Sequence, residues 1–328
     1  MNTDFLKNKT ILVTGGTGSF GKSFIKALLK DSEIKKIIVF SRDELKQFQM
    51  EKELNDERLR FFIGDVRDLQ RLERAFHGVD VVVHAAALKQ VPILEYNPFE
   101  AVKTNILGSQ NVVEAAINHG VEKVLLVSTD KAAQPVNLYG STKLCAEKLF
   151  INGNFYASGK TKFACIRYGN VIGSRGSIVD TLLNNKEAKK FHLTDERMTR
   201  FWITLEQSHQ LVMFALENMV GGEIFIPKIP SMKVVDIFKA IVENIEIEII
   251  GIRPGEKLHE VLLTEQESRH SLELENYYVV LPEFMDLEKY KKYHEIGQKL
   301  EQDFRFTSDS NKNWLTHDQF KDYVKKLY

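Results

Sequence analysis

Between Val127 and Lys143 the chain places a hydroxyl, a carboxylate and an amine in consecutive positions, Thr129, Asp130 and Lys131, and then Tyr139 and Lys143. Tyr and Lys four apart lie on one face of a helix. A phenol titrates at about 10, so Tyr139 is a weak base at neutral pH unless a cation favours its anion. Lys143, on the same helical face, can supply that cation. Thr129 can hydrogen-bond the same reacting oxygen. Asp130 and Lys131 add a second acid and a second base. A lysine base must be neutral, so Lys131 is expected to have a depressed pKa, from burial and from Lys143 nearby. A salt-bridged loop is the plainer account of Asp130 and Lys131.

These groups need a strand before them and a helix after them. The apolar run Lys123-Val-Leu-Leu-Val-Ser128 reads as a buried parallel strand, and 138–157 as a helix. Ligands of open parallel sheets bind at strand ends. Near the N-terminus, Thr10-Ile-Leu-Val-Thr14 reads as a strand and 22–30 as a helix. The loop between them holds Gly15, Thr17, Gly18, Ser19, Phe20 and Gly21. Glycines at this spacing, between a strand and a helix, predict a dinucleotide pyrophosphate on the helix N-terminus. Strand 36–40 leads into Ser41 and Arg42, with Lys46 one helical turn on. A hydroxyl and two cations suit a 2′-phosphate and point to NADP. Asp43 would suit NAD, and Arg42 could also be a solvated loop charge. Helix 43–54 and strand 60–64 follow. Asp65 and Val66 come next, Asp65 positioned for an adenine amine or as the cap of helix 68–77. The exit of strand 79–87 carries small residues, Ala86 among them, on which a cofactor can lie. His84 has no assigned role. Helix 97–119 contributes Thr104 to the cofactor set.

Strand 162–167 closes this alternation, so residues 1–170 are expected to form a Rossmann-type, doubly wound parallel α/β sheet. Residues 171–328 are expected to form mainly a smaller substrate-binding lobe, with some segments able to return to the sheet. In it, 207–219 and 231–242 read as helices and 247–250 as a strand. The tail 286–328 reads as charged and helical, with a capping box from Thr316 to Gln319. Candidate substrate residues are Lys89 at the cleft mouth, Asn170 after a strand end, Arg200 and Arg253 as a diphosphate clamp, and Glu256. Lys89 could equally be plain surface. Arg200 could serve packing, and Glu256 could start a helix.

Composition bounds the function. Lys plus Arg and Asp plus Glu number 45 each, so no net field recruits nucleic acid or an anionic membrane. The clusters Lys189-Lys190 and Lys325-Lys326 are short. Cys145 and Cys165 fit a reducing compartment and lack metal-site spacing, so no metal is expected. No apolar run reaches the ~18 residues of a membrane span. A cytoplasmic protein is expected.

The blocks Thr14-Gly-Gly-Thr-Gly-Ser-Phe-Gly21, Ser41-Arg-Asp-Glu-Leu-Lys46, Ser128-Thr-Asp-Lys-Ala132, Arg167-Tyr-Gly-Asn170, Met198-Thr-Arg-Phe-Trp202 and Ile252-Arg-Pro-Gly-Glu-Lys-Leu-His-Glu260 span nearly the whole chain. With the Tyr139–Lys143 pair they resemble the extended short-chain dehydrogenase/reductase superfamily, and within it the inverting UDP-N-acetylglucosamine 4,6-dehydratases that begin pseudaminic acid synthesis. The resemblance implies redox-neutral loss of water from UDP-N-acetylglucosamine on NADP. Tyr139, Thr129 and Lys143 would serve the hydride step, Lys131 would be the base at C5 and Asp130 the acid at the C6 hydroxyl. It also implies a homo-oligomer, with a hexamer as one form. A 4-epimerase or C5-retaining dehydratase of the superfamily is the first alternative; Asp130 with Lys131 argues against it. A non-enzymatic NADP-binding regulator is the second, and it has no need of the acid–base set.

Overall fold

The computed structural model describes residues 3–30, 33–185, 190–242, 246–283 and 287–326. β1 (Thr10–Thr14) is buried along its whole length, as a β-branched run between two layers must be. α1 (Ser19–Leu29) buries Gly21, Phe24, Ile25 and Leu28, the stripe of one helical face. β2 (Lys36–Ser41) leads to α2 (Glu44–Leu54), capped by Asp43, whose side chain accepts from the Lys46 amide. β3 (Leu59–Ile63) leads to α3 (Leu69–Phe76), capped by Asp68 rather than Asp65. β4 (Val81–His84) is followed by short helical stretches and then α4 (Gly108–Asn118). β5 (Lys123–Val127) leads through the catalytic loop to α5 (Leu138–Tyr156), capped by Asn137. β6 (Lys162–Ile166) completes the first half.

The second half contributes β7 (Asn170–Val171), β8 (Thr199–Ile203), α6 (Leu205–Asn218), β9 (Ile224–Pro227), β10 (Ser231–Lys233), α7 (Val234–Ile241), β11 (Val261–Leu263), β12 (Ser271–Glu273), β13 (Tyr277–Val280) and α8 (His317–Lys325). The large sheet runs β12-β13-β9-β6-β5-β4-β1-β2-β3, with Gln298–Lys299 added at the β12 edge. β3 through β9 are parallel; β13 and β12 are antiparallel. Strands from beyond residue 170 therefore extend the sheet, and the chain is an α/β fold of the doubly wound type. Order reverses between β1 and β4, which opens the crevice where a ligand belongs. A second sheet, β10-β8-β7, carries a separate core of Val179, Leu182, Met198, Trp202, Phe238 and Phe320 among others. This is the smaller lobe. Among the described residues no helix is long and apolar enough to cross a membrane.

Several expectations change. Residues 231–233 are strand, and the helix begins at Val234, because Ser231 to Lys233 pair with Phe201 to Thr199. Tertiary pairing overrides local preference there. The helix expected over 97–119 is interrupted by a π-helical segment, Val102–Leu107. That wider turn carries Asn105 inward, where its side chain binds both the amide and the carbonyl of Leu88. The tail is helical only in parts, since Phe306–Thr307 pairs with β11 and Gln298–Lys299 with β12. Another, the pairing of Lys131, belongs to the site. The Thr316–Gln319 capping box is present. Lys189 lies outside the described residues; Lys190 pairs with Glu248 at 3.1 Å.

Candidate active site

The crevice at the ends of β1, β4 and β5 opens into a cleft of about 770 Å³ walled on one side by the smaller lobe. Gly15 has φ +66°, and a Cβ there would lie 2.9 Å from the Ala86 amide nitrogen. Only glycine allows the first turn and the exit of β4 to touch, and this leaves a backbone cradle open to a pyrophosphate. Thr17, Gly18, Ser19, Phe20 and Gly21 line the cleft beside it. The N-terminal amides of α1 point there without a side-chain cap. The residues fit a dinucleotide.

At the adenosine end the groups diverge in their state. The Ser41 hydroxyl is buried and accepts from Gln47. Arg42 is exposed, 3.6 Å from Asp65. Lys46 lines the cleft and pairs with Asp43 at 2.6 Å. Asp65 is held by Arg67 at 2.7 Å; burial raises its pKa, and Arg67 and Arg42 outweigh burial and lower it. Val66 is buried and its carbonyl accepts from Asn111. Thr104 is buried on the π-helical segment and its hydroxyl has no hydrogen-bond partner among the described residues. Ala86 donates its amide to the Thr14 hydroxyl.

The candidate catalytic groups converge. α5 presents Tyr139 and Lys143 to the cleft. Lys143 is buried and donates to the Val127 carbonyl at 2.8 Å, which ties the helix to the end of β5. Burial lowers its pKa to about 8, against a partly opposing effect of Glu147. Burial raises the Tyr139 phenol, while Lys131 and an interaction with the Thr129 hydroxyl favour its anion. The cation acting on the phenol in this structure is therefore Lys131, in place of the Lys143 expected from helical spacing. Thr129 donates to Asp130 Oδ1 at 3.0 Å. A Cβ on Gly140 would sit 2.2 Å from the Lys131 carbonyl oxygen, so the catalytic loop packs directly on the α5 backbone.

Lys131 differs from expectation. Its ammonium lies 2.9 Å from Asp130 Oδ1, 3.7 Å from Glu260 Oε1 and 3.5 Å from Asn170 Oδ1. Burial would lower its pKa, but the two carboxylates outweigh burial and raise it; Lys143 is not what sets it. Asp130 is fully buried, and burial raises its pKa against the pull of Lys131, with Glu260 adding to the rise. A proton moved from Nζ to Oδ1 turns this ion pair into a neutral amine beside a carboxylic acid. One transfer over 2.9 Å thus yields a base and an acid together.

On the substrate side, Lys89, Asn170, Arg253 and Glu256 line the cleft with Lys131. Lys89 donates to the Arg175 carbonyl, and burial lowers its pKa. Arg200 lines the cleft too, but its guanidinium already donates to the carbonyls of Thr199, Lys257 and Leu258. The Glu256 amide donates to the Arg253 carbonyl, a tight turn about the loop. Two residues escaped the sequence reading, one lining the cleft and one buried behind Lys131. Arg175 donates from its guanidinium to the Thr17 carbonyl at 3.1 Å, bridging the smaller lobe to the glycine loop. Its signal was a lone arginine between Gly173 and Gly176. Glu260 is 3% exposed and meets Lys131, Arg200 and Lys257. It stood at the end of a quoted block, with no spacing to relate it to Lys131.

Comparison with known proteins agrees with this geometry. Residues 11–282 match the family described as polysaccharide biosynthesis protein. The chain is 50% identical over 324 residues to the UDP-N-acetylglucosamine 4,6-dehydratase (inverting) of Campylobacter jejuni subsp. jejuni serotype O:2, covering 96% of this chain and 97% of that one. It is 43% identical to the UDP-glucose 4-epimerase of Rickettsia rickettsii, covering 89% and 88%. The solved structure of Pen from Bacillus thuringiensis superposes with a TM-score of 0.89 at 38% identity, covering 99% of this chain and all of that one. With a glycine cradle, a Tyr–Lys helix and a family match across most of its length, the chain belongs to the polysaccharide biosynthesis protein family.

Proposed function

We propose that the chain is an inverting UDP-N-acetylglucosamine 4,6-dehydratase. It would convert its substrate to UDP-2-acetamido-2,6-dideoxy-beta-L-arabino-hex-4-ulose and water, the entry to pseudaminic acid synthesis. The observation that carries the reading is Lys131 beside Asp130, 2.9 Å apart, in the same cleft as Tyr139 and Lys143. A bare dehydrogenase or epimerase needs the Tyr–Lys pair alone.

The bound cofactor would be NADP, which accepts hydride from C4 and returns it at C6. Asp43, the acid an NAD ribose would use, is engaged by the amide and side chain of Lys46, while Arg42 stands exposed at the end of β2. Lys143 would hold the nicotinamide ribose. Tyr139, with Thr129 beside it, would take the proton from the C4 hydroxyl. Lys131 would remove the C5 proton that a C4 ketone acidifies, and Asp130 would protonate the departing C6 hydroxyl. C5 would then take its new proton from the opposite face, which inverts it. Lys89, Asn170, Arg253, Arg200 and Glu256 would hold the sugar diphosphate, Arg200 with the donors its carbonyl contacts leave over. The enzyme would act as a cytoplasmic homo-oligomer, hexamer included.

The second reading, a 4-epimerase, rests on the Rickettsia relative. Incubation with UDP-N-acetylglucosamine and NMR of the products separates the two. The expected product is a 4-keto-6-deoxy sugar nucleotide, lighter by one water, with no net change at 340 nm. A C4 epimer of unchanged mass would overturn the dehydratase.

A further inference from the structure

We propose that Glu260 is a positioning residue that sets the proton affinity of the Asp130–Lys131 pair through its charge. This rests on the dehydratase reading and assigns a part to a side chain that touches no substrate atom in it. Glu260 leads into β11, which packs against the catalytic loop. Its backbone is held on both sides by Ser308: the Glu260 amide donates to the Ser308 hydroxyl and its carbonyl accepts the Ser308 amide. The carboxylate so fixed faces three cations from three segments. Lys131 of the catalytic loop is at 3.7 Å, Arg200 of β8 at 3.6 Å and Lys257 of its own segment at 3.8 Å. Tyr139 of α5, Asp130 and Lys89 also stand around Lys131. One oxygen of Glu260 and one of Asp130 are buried without a hydrogen-bond partner among the described residues.

Two buried carboxylates beside one ammonium repel each other, so the one with more cations keeps its charge. Glu260 has three within 4 Å, whereas Asp130 has Lys131. Accordingly burial raises the pKa of Glu260 but its cations outweigh burial and lower it, while that of Asp130 is raised. A fixed negative charge there makes both members of the pair hold protons more tightly. That serves the chemistry twice. In the neutral form of the pair Asp130 keeps its proton for the C6 hydroxyl, and Lys131 is the stronger base towards C5.

Glu260→Gln keeps the shape and removes the charge. Both proton affinities should fall, so both limbs of the kcat/KM pH profile should move to lower pH together, by about one unit or more. A residue that only packs would lower the amplitude and leave the limbs in place. Glu260→Asp keeps the charge but withdraws it by one methylene; its profile should move the same way by less. Wild-type product is first established by NMR; its absence would sink the dehydratase reading itself. With that product formed, a Gln profile lowered in amplitude but not displaced overturns the role of Glu260. Should the Gln variant not fold, the Asp variant decides: an acid displacement supports the role and an undisplaced profile overturns it.

Discussion

A lysine that serves as a base is usually pictured as a depressed ammonium, yet Lys131 is held charged by Asp130 and Glu260. At the residue scale the useful unit is therefore the pair. Its ionic form is stable and its neutral form is one short proton transfer away. Lys131→Ala removes the proposed base for C5 and leaves Tyr139, Thr129 and Lys143 in place. Oxidation at C4 should persist, slowed by the loss of the cation beside Tyr139, so reduced cofactor should accumulate at 340 nm in a single turnover. Product formation should fall by ~10²–10⁴. Unimpaired turnover, with solvent deuterium still entering C5, would remove Lys131 from that role. The spacing of Tyr139 and Lys143 was legible because a helix has a fixed period. The partner of Lys131 was not, because Glu260 is brought to it from across the fold.

At the element scale the catalytic strand and helix are clamped from behind. Arg167, at the end of β6, is fully buried between Glu147 of α5 at 2.7 Å and Glu267 at 2.9 Å. Glu147 also accepts from Ser128, next to Thr129. Arg167 further donates to the Leu262 carbonyl of β11. The network ties α5, β5, β6 and β11 into one support for the site. Burial would raise the Glu267 carboxyl, but Arg167 outweighs it and lowers the pKa to about 2. A carboxyl depressed on folding contributes stability in full above its unfolded value of about 4.3, and loses it as pH falls towards about 2. Glu267→Gln, which can keep the helix cap at Thr264, should therefore cost about 3 kcal/mol at pH 7. The gap in denaturant midpoint from wild type should narrow below pH 4. A gap that is unchanged down to pH 3 would show that charge is not its source.

At the scale of the whole molecule, the cleft exists because two cores face each other across it, the large sheet and the smaller lobe. The outer surface carries a different signal. Ile93, Tyr96, Phe99 and Leu107 are exposed on consecutive helical stretches that pack beside α5, with Tyr96 87% accessible. Apolar side chains so grouped favour burial against another chain. Tyr96→Glu with Phe99→Glu should lower the mass measured by light scattering towards that of one chain. Unchanged mass would place the contact of the proposed homo-oligomer on another face.

By itself the sequence determined what short-range rules can read: the strand–glycine loop–helix unit, the parallel strands up to residue 166, the Tyr139–Lys143 face and the adjacency of Asp130 and Lys131. Each follows from a period or a neighbour along the chain. Only the tertiary structure decided the rest. It drew β9, β12 and β13 back to the sheet, made 231–233 a strand by pairing it with β8, and opened a π-helical turn to carry Asn105 to Leu88. It added to the hold of Asp130 on the Lys131 ammonium by bringing up a second carboxylate from 129 positions away. The physical reason is the same in each case. Burial and charge act through distance in space, and a chain that folds back on itself makes that distance independent of position in the sequence.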